Sequence, residues 1–253
     1  MSSCHTGYGM AAMAAFSLPG PKKPGPVKAD ERPPTAPARL AGMEATLDTS
    51  GALYWAAEET LVVSDLHLET GSSYARSGQM LPPYDTGLTL ARLADAIAHH
   101  RPRRLISLGD SFHDPYGPER LSPTHRNWLA DLCQQIETVW ITGNHDHASA
   151  ASFGGTAAES ATIAGITFRH IPTEGPVDGM EVAGHLHPAG VVILRNRRIK
   201  RRAFIGCARR MVMPAFGVLT GGLPHTDAAF AGLWPKPLRP QLHLIGRQKI
   251  HSL

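Results

Sequence analysis

Four short apolar runs in the 253-residue chain each end in a small residue and pass at once into side chains able to bind divalent cations. Leu61-Val62-Val63-Ser64 leads to Asp65 and His67, and Leu105-Ile106-Ser107-Leu108-Gly109 leads to Asp110 and His113. Val139-Trp140-Ile141-Thr142-Gly143 leads to Asn144, His145 and Asp146, and Glu181-Val182-Ala183-Gly184 leads to His185 and His187. Two carboxylates, an amide oxygen and several imidazoles without a thiolate suit Mn²⁺, Fe²⁺ or Zn²⁺ better than soft copper. Each fragment alone is weak, because an Asp-x-His or a Gly-Asp is ordinarily a turn or a surface pair. Repeated four times in one order, the pattern points to a single cation site assembled from four loops.

Such a site needs strands whose carboxyl ends converge, as in an open α/β sheet. Residues 45–47 and 53–55 flank Thr49-Ser50-Gly51, which predicts a hairpin leading into the first of the four runs. Leu88, Leu90, Leu93, Ala94 and Ile97 predict a helix that stops before Pro102. Ser122-Pro123 can cap and start a second helix with Trp128, Leu129, Leu132, Cys133 and Ile136 on its apolar face. Both apolar faces read as core.

With 42% apolar and 18% charged residues, the chain fits neither a disordered nor a fibrous class. Cys4, Cys133 and Cys207 are too scattered for a disulfide framework or a zinc finger, and a reducing cytoplasm is the simplest location. No apolar run approaches the roughly 18 residues of a membrane span, so no membrane is expected. Residues 19–39 hold seven prolines. We therefore expect a flexible, Pro-rich tail over residues 1–40 and one domain over 41–253, with a surface loop near 224–240 and a late strand at 242–250. Residues 1–181 carry 13 Lys and Arg against 20 Asp and Glu, whereas residues 182–253 carry 12 against one, so the net charge of +4 hides an acidic part and a basic part. Such a split suits a cation site beside a surface for a polyanion.

SDLH (64–67), GDSFH (109–113), GNHD (143–146), an isolated His170 and GHLH (184–187) match, in order, the signature blocks of the calcineurin-like metallophosphoesterases. About residues 45–225 resemble that superfamily. More narrowly, DLHLETGSSYARSGQMLPPYDTGLTLARL, EVAGHLHP and MPAFGVLTGGL are similar to the ligase-associated DNA-damage-response metallophosphoesterases, the PdeM-type endonucleases. GDSFH also resembles the corresponding block of double-strand-break-repair nucleases.

The resemblance implies an α/β fold, a four-layer αββα sandwich of two mixed sheets flanked by helices. It implies one metal on Asp65, His67 and His187, with Asp110 bridging to a second held also by Asn144, His170 and His185. Two such ions about 3.5–4 Å apart, expected to be Mn²⁺, can clamp an in-line displacement in which a shared hydroxide attacks phosphorus. His145 would stabilise the transition state or protonate the leaving alkoxide, and Asp146 would either orient that imidazole or cap the next helix. His113 and Asp114 read either as hydrogen-bonding supports for the Asp110 loop or as contacts to a substrate phosphate. His5, His99, His100, His125, His225, His243 and His251 lie outside these blocks and read as surface or packing residues.

Residues 195–210 hold Arg195, Arg197, Arg198, Lys200, Arg201, Arg202, Arg209 and Arg210 and no acid. A hairpin with a charged tip is expected, either merely solvated or contacting DNA or RNA phosphates. The expected activity is thus DNA phosphodiester hydrolysis. The resemblance adds a DNA ligase, a helicase and an exonuclease as functional partners, and a homodimer is compatible with it. The alternatives are a small-molecule phosphodiesterase or phosphomonoesterase, and a non-catalytic scaffold, which would be expected to have lost ligands.

Overall fold

The structure is a computed structural model that describes residues 34–145, 149–234 and 239–253. Seven strands form the first sheet in chain order: β1 (Thr35–Leu40), β2 (Met43–Asp48), β3 (Leu53–Trp55), β4 (Thr60–Val63), β5 (Arg104–Leu108), β6 (Glu137–Ile141) and β7 (Thr156–Ala158). The first four pair antiparallel, and β4 to β7 run parallel. The second sheet holds β8 (Ser160–Ile163), β9 (Ile166–Arg169), β10 (Met180–Ala183), β11 (Pro188–Leu194), β12 (Arg197–Gly206), β13 (Arg210–Val212), β14 (Leu223–Pro224), β15 (Gln241–Ile245) and β16 (Ile250–Ser252). In it β10 lies parallel to both β9 and β13. Both sheets are therefore mixed.

Alternation along the strands divides the core. Val62, Ile106 and Leu108 turn toward Phe168, Val182, Phe204 and Met211, filling the space between the sheets. Leu61, Val63 and Leu105 turn the other way, against Leu90 and Leu93 of α2 (Asp85–His100) and Leu129 and Leu132 of α4 (Pro123–Gln135). Every residue of β4 is buried, as expected for a strand covered on both faces. Ser122 caps α4 by accepting from the His125 N–H. Two shorter helices, α1 (Thr70–Arg76) and α3 (Gly117–Arg120), sit in the loops that follow β4 and β5. On the outer face of the second sheet, cover comes from Phe230 and Leu233, beside a 3-10 turn at Ala228–Phe230.

Three expected boundaries move. Residues 35–40, assigned to the tail, form β1, because Ala36, Ala38 and Leu40 alternate inward and Pro37 is tolerated on an edge strand. The segment near 224–240 is not wholly a surface loop, since Phe230 and Leu233 are buried against the second sheet. The late strand is a hairpin, β15 and β16, with its turn closed by the Gly246 N–H on the Lys249 carbonyl. Residues 1–33, including most of the expected tail, lie outside the described residues. Among the described residues no helix is long and apolar enough to cross a membrane.

Candidate metal centre

Four loops at the carboxyl ends of β4, β5, β6 and β10, together with His170 after β9, meet at one edge of the sandwich. They are tied together through main-chain groups. The Asp65 N–H donates to the Gly109 carbonyl (3.2 Å), the His67 N–H to the Asp110 carbonyl (2.9 Å), and the Gly184 N–H to the His170 carbonyl (2.9 Å). Side chains tighten the knot: Asp110 Oδ1 accepts from the His145 N–H at 3.0 Å, and Asp65 Oδ2 from the His185 N–H at 3.0 Å. Ser64 Oγ also donates to Asp65.

Asp65, His67 and His187 form one group of three donor atoms within 4.8 Å of one another, and Asp110, His170 and His185 form a second. His187 Nε2 lies 3.1 Å from Asp65 Oδ1, and His67 Nε2 lies 3.4 Å from His187 Nε2. Asp110 Oδ2 reaches toward both groups, 3.4 Å from His170 Nε2 and 3.9 Å from His67 Nε2. Asn144 Oδ1 lies 2.8 Å from His170 Nε2, so the amide joins the second group. The chain thus brings together all seven side chains expected to be ligands. A cavity of about 330 Å³ beside Asn144 and His170 leaves room next to them.

The donor set fits a pair of divalent cations. Oxygen and imidazole nitrogen with no sulfur suits Mn²⁺, Fe²⁺ or Zn²⁺. His170 Nδ1 lies 2.8 Å from the Leu108 carbonyl; because a carbonyl only accepts, Nδ1 carries the proton and Nε2 is the nitrogen turned to Asp110. Burial drives the His67 imidazole down to about 4, so it is neutral at pH 7 and keeps a lone pair. Burial favours the neutral form of Asp65 and Asp110, but the surrounding hydrogen bonds and imidazole charges outweigh it. They hold Asp65 below the ordinary carboxylate range and Asp110 at about 2. Burial likewise opposes charge on His170, yet the Asp110 hydrogen bond and the two carboxylate charges raise its pKa.

Backbone conformation carries a separate sign of a built site. Asp65, His67, Asp110, His185 and His187 have φ of 53°, 43°, 46°, 67° and 44°, the left-handed region that side-chain-bearing residues avoid. Such conformations cost about 1–3 kcal/mol each and persist only where the surroundings over-determine them.

No family model matches the chain, and no curated protein matches it. Among solved structures, the crystal structure of the Pseudomonas putida nuclease MPE is similar over 87% of this chain and 100% of its own, at 26% identity and a TM-score of 0.66. The chain has a metallophosphoesterase-type fold. A second solved structure, the E. coli phosphoesterase Yfce, is 14% identical over 77% of this chain and 97% of that one, at a TM-score of 0.40.

The other expected site residues fall out differently. His145 is beside the metal groups, its Nε2 3.8 Å from Asp110 Oδ2, and its side chain is 43% exposed where that of Asp110 is 2%. Asp146 lies outside the described residues; the observed partner of His145 Nδ1 is the His113 carbonyl, at 3.0 Å. The His113 ring stands 5.7 Å from His67 and 6.0 Å from His145, within the cluster. Asp114 is turned aside: both its oxygens accept from Arg120, at 2.9 and 2.7 Å, and those bonds outweigh its burial and lower it to about 2. Arg120 also donates to Ser72 Oγ, which donates to Glu69, so this network braces the loop behind His67. That arrangement favours the supporting role for Asp114 over a substrate contact.

In the basic stretch, the expected charged tip shrinks to two residues. Leu194 pairs with Arg197 across Arg195 and Asn196, both at positive φ, and Arg197, Arg198, Lys200, Arg201 and Arg202 belong to β12 itself. Arg197, Arg198, Lys200 and Arg201 are exposed, whereas Arg202 turns inward and Arg210 is 1% exposed. Sequence reasoning missed Arg120, and it read Ser64 and Gly143 only as the small residues that end their runs. Gly143 had a signal in its position before Asn144: a Cβ there would overlap the Asp110 backbone and carboxylate, so only glycine lets the two loops close on each other.

Proposed function

We propose that the chain is a dinuclear-metal-dependent phosphodiester hydrolase that cleaves DNA as an endonuclease. The nuclease neighbour and the two ligand groups support a metal-dependent phosphoesterase. The observation that carries the reading is Asp110, a member of one three-residue group, reaching within 3.9 Å of His67 in the other, with a partly exposed imidazole 3.8 Å away.

Two divalent cations held there would supply Lewis-acid charge to a phosphoryl group and acidify water. The chain's own residues do the rest. Asp65 and Asp110 bring negative charge into a pocket where burial would otherwise neutralise it, and they stay ionised because imidazoles and main-chain N–H groups surround them. His67 enters as a neutral donor. His145, held through Nδ1 by the His113 carbonyl, presents Nε2 to incoming substrate. Protonated, that nitrogen can give its proton to the departing oxygen, the task of a general acid near neutral pH.

The finer expectations rest on the resemblance noted from the motifs. Mn²⁺ is the expected metal, the PdeM-type endonucleases the expected subgroup, and ligase-associated repair with a helicase and an exonuclease the expected setting; a reducing cytoplasm is expected separately, from the scattered cysteines. Exposed Arg195, Arg197, Arg198, Lys200 and Arg201 supply a basic face for nucleic-acid phosphates.

The test is hydrolysis of single-stranded and plasmid DNA, bis-p-nitrophenyl phosphate, p-nitrophenyl phosphate and cyclic nucleotides with Mn²⁺, Mg²⁺ or Zn²⁺. Internal DNA cleavage that needs the metal and disappears with EDTA or in Asp110→Asn is expected. Turnover confined to small esters would favour a small-molecule phosphodiesterase, and metal binding without any turnover would leave a scaffold.

A further inference from the structure

A concentration of positive charge lies outside the two ligand groups. A cleft of about 870 Å³ is walled by α2, the Thr49-Ser50 turn, residues 200–202 of β12 and residues 245–247. Its lining carries Arg92, Lys200, Arg201, Arg202 and Arg247 against a single acid, Asp95. Lys200, Arg201, Arg247 and Asp95 are exposed, while Arg92 and Arg202 are partly sequestered.

Those two guanidiniums are held by carbonyls rather than carboxylates. Arg202 donates to the Ala215 carbonyl (2.7 Å) and the Ser50 carbonyl (3.0 Å). Arg92 donates to the Phe216 carbonyl (2.6 Å) and lies 5.7 Å over the Phe216 ring. Burial first, and the neighbouring Arg92 charge second, pull Arg202 down to about 10. Asp48 is the acid whose charge reaches Arg92, but its oxygens are already engaged by the Ser50 N–H and His100. Like charges gathered in a partly buried place are costly unless an anion joins them.

The registers put this cleft on the same edge as the metal groups. Leu53 pairs with Val62, so residues 49–51 stand beyond Val63 where Ser64 and Asp65 begin. Ile205 pairs with Val212, so Arg202 stands beyond it, level with the chain leaving β13. Residues 213–217 run between the two places. Phe216 and Gly217 donate from their N–H groups to the Ser64 and Asp65 carbonyls, while Ala215 and Phe216 give their own carbonyls to Arg202 and Arg92. One short strap thus touches the first metal group on one side and the arginines on the other.

Resting on the nuclease reading, we propose that the Arg92 and Arg202 cleft is an anion subsite for a backbone phosphate of the strand whose reacting phosphate lies at the metal groups. Arginine forks suit phosphate oxygens, and cations spread along an open cleft suit a chain of phosphates better than one small ion. Such contacts position a strand without reading its bases.

The test is binding of a labelled single-stranded oligonucleotide in EDTA across a salt series, with Mn²⁺-dependent cleavage of the same strand measured in parallel. Arg201→Gln with Arg247→Gln should weaken binding about tenfold and flatten the slope of log K against log salt by about 0.7 for each phosphate that is no longer neutralised. Arg202→Gln should do the same, with partial recovery in Arg202→Lys. If Arg202→Gln does not fold, the exposed pair decides. Arg101→Gln with Arg103→Gln removes equal charge at the opposite edge, where β5 begins, and should have a smaller effect. Wild-type affinity and slope in the cleft variants, or an equal loss in the Arg101 and Arg103 control, would overturn the subsite while leaving a cleaving wild type as a nuclease. A wild type that binds in this pattern but cleaves only small esters would sink the nuclease reading, and the reacting strand with it, while leaving the cleft a strand-binding surface, and one that binds no strand would sink both.

Discussion

His145 Nδ1 lies 3.0 Å from the backbone carbonyl oxygen of His113, and that pairing decides which ring nitrogen can do chemistry. A carbonyl only accepts, so Nδ1 carries the hydrogen and Nε2 faces the ligand groups. Replacing His145 by Ala should lower kcat for DNA on the order of 10²- to 10⁴-fold while leaving two metals bound, as measured by elemental mass spectrometry. The loss should be smaller for bis-p-nitrophenyl phosphate, whose leaving group needs no proton. Equal losses on both substrates would mean that His145 steadies the reacting phosphate rather than protonating the leaving oxygen.

Glycine at position 184 is a steric requirement of the first ligand group. A Cβ there would run into Ser64 Oγ and come within 2.8 Å of Asp65 Oδ2 and 3.2 Å of the Leu108 carbonyl. The backbone has little slack to move, because Gly184 N–H is bonded to His170 and the next two ligands, His185 and His187, already hold positive φ. Gly184→Ala should bind fewer than two metal ions and lose metal-dependent stabilisation in a melting experiment, with its fold retained by circular dichroism. Full metal occupancy in that variant would show that the loop has room this geometry denies it.

The ligands were legible because each follows a run of strand-forming residues, so position in sequence already fixed position at the sheet edge. His170 stands alone in the sequence, yet it too follows a strand, β9. The partner of His145 was not legible, because a main-chain carbonyl carries no residue signature. Arg202 and Arg210 looked like members of one charged run, since charge alone does not say which side of a strand a residue takes. Their neighbours decide it: Arg202 points at two carbonyls, and Arg210 meets Glu181 from the parallel strand β10. Strand β1 was hidden by proline content that suggested a tail, although a single proline on an edge strand breaks no ladder.

Arg210 is a buried post rather than a surface charge. It donates to Glu181 Oε2 at 2.7 Å and to the carbonyls of Thr173, Gly175 and Leu233, tying the loop after His170 to the outer cover of the second sheet. Removing one partner of such a pair leaves the other buried and poorly compensated, a loss of about 3–5 kcal/mol. Arg169, 3.2 Å from Glu181 Oε1, softens that loss toward its lower end. Arg210→Met should therefore shift the urea midpoint strongly downward, and adding Glu181→Leu should recover part of the shift. A midpoint unchanged in Arg210→Met would contradict the structural role.

Cys133, on the inner face of α4, reports on the packing between that helix and the first sheet. Burial pushes its thiol up to about 11, above the ordinary thiol value near 8.5. With the folded value raised, the stability tied to keeping the thiol neutral is fully present below about pH 8.5 and is lost as pH rises through about 11. At pH 8.5 about half the thiols of the unfolded chain are thiolate, against well under one in a hundred in the folded chain. Iodoacetamide should therefore modify Cys133 about a hundredfold more slowly in the native protein than in denaturant at that pH, followed by peptide mass spectrometry. Fast native modification would mean that α4 lifts from the sheet often enough to wet this core, and the rate would then follow the opening free energy rather than the thiol's own acidity.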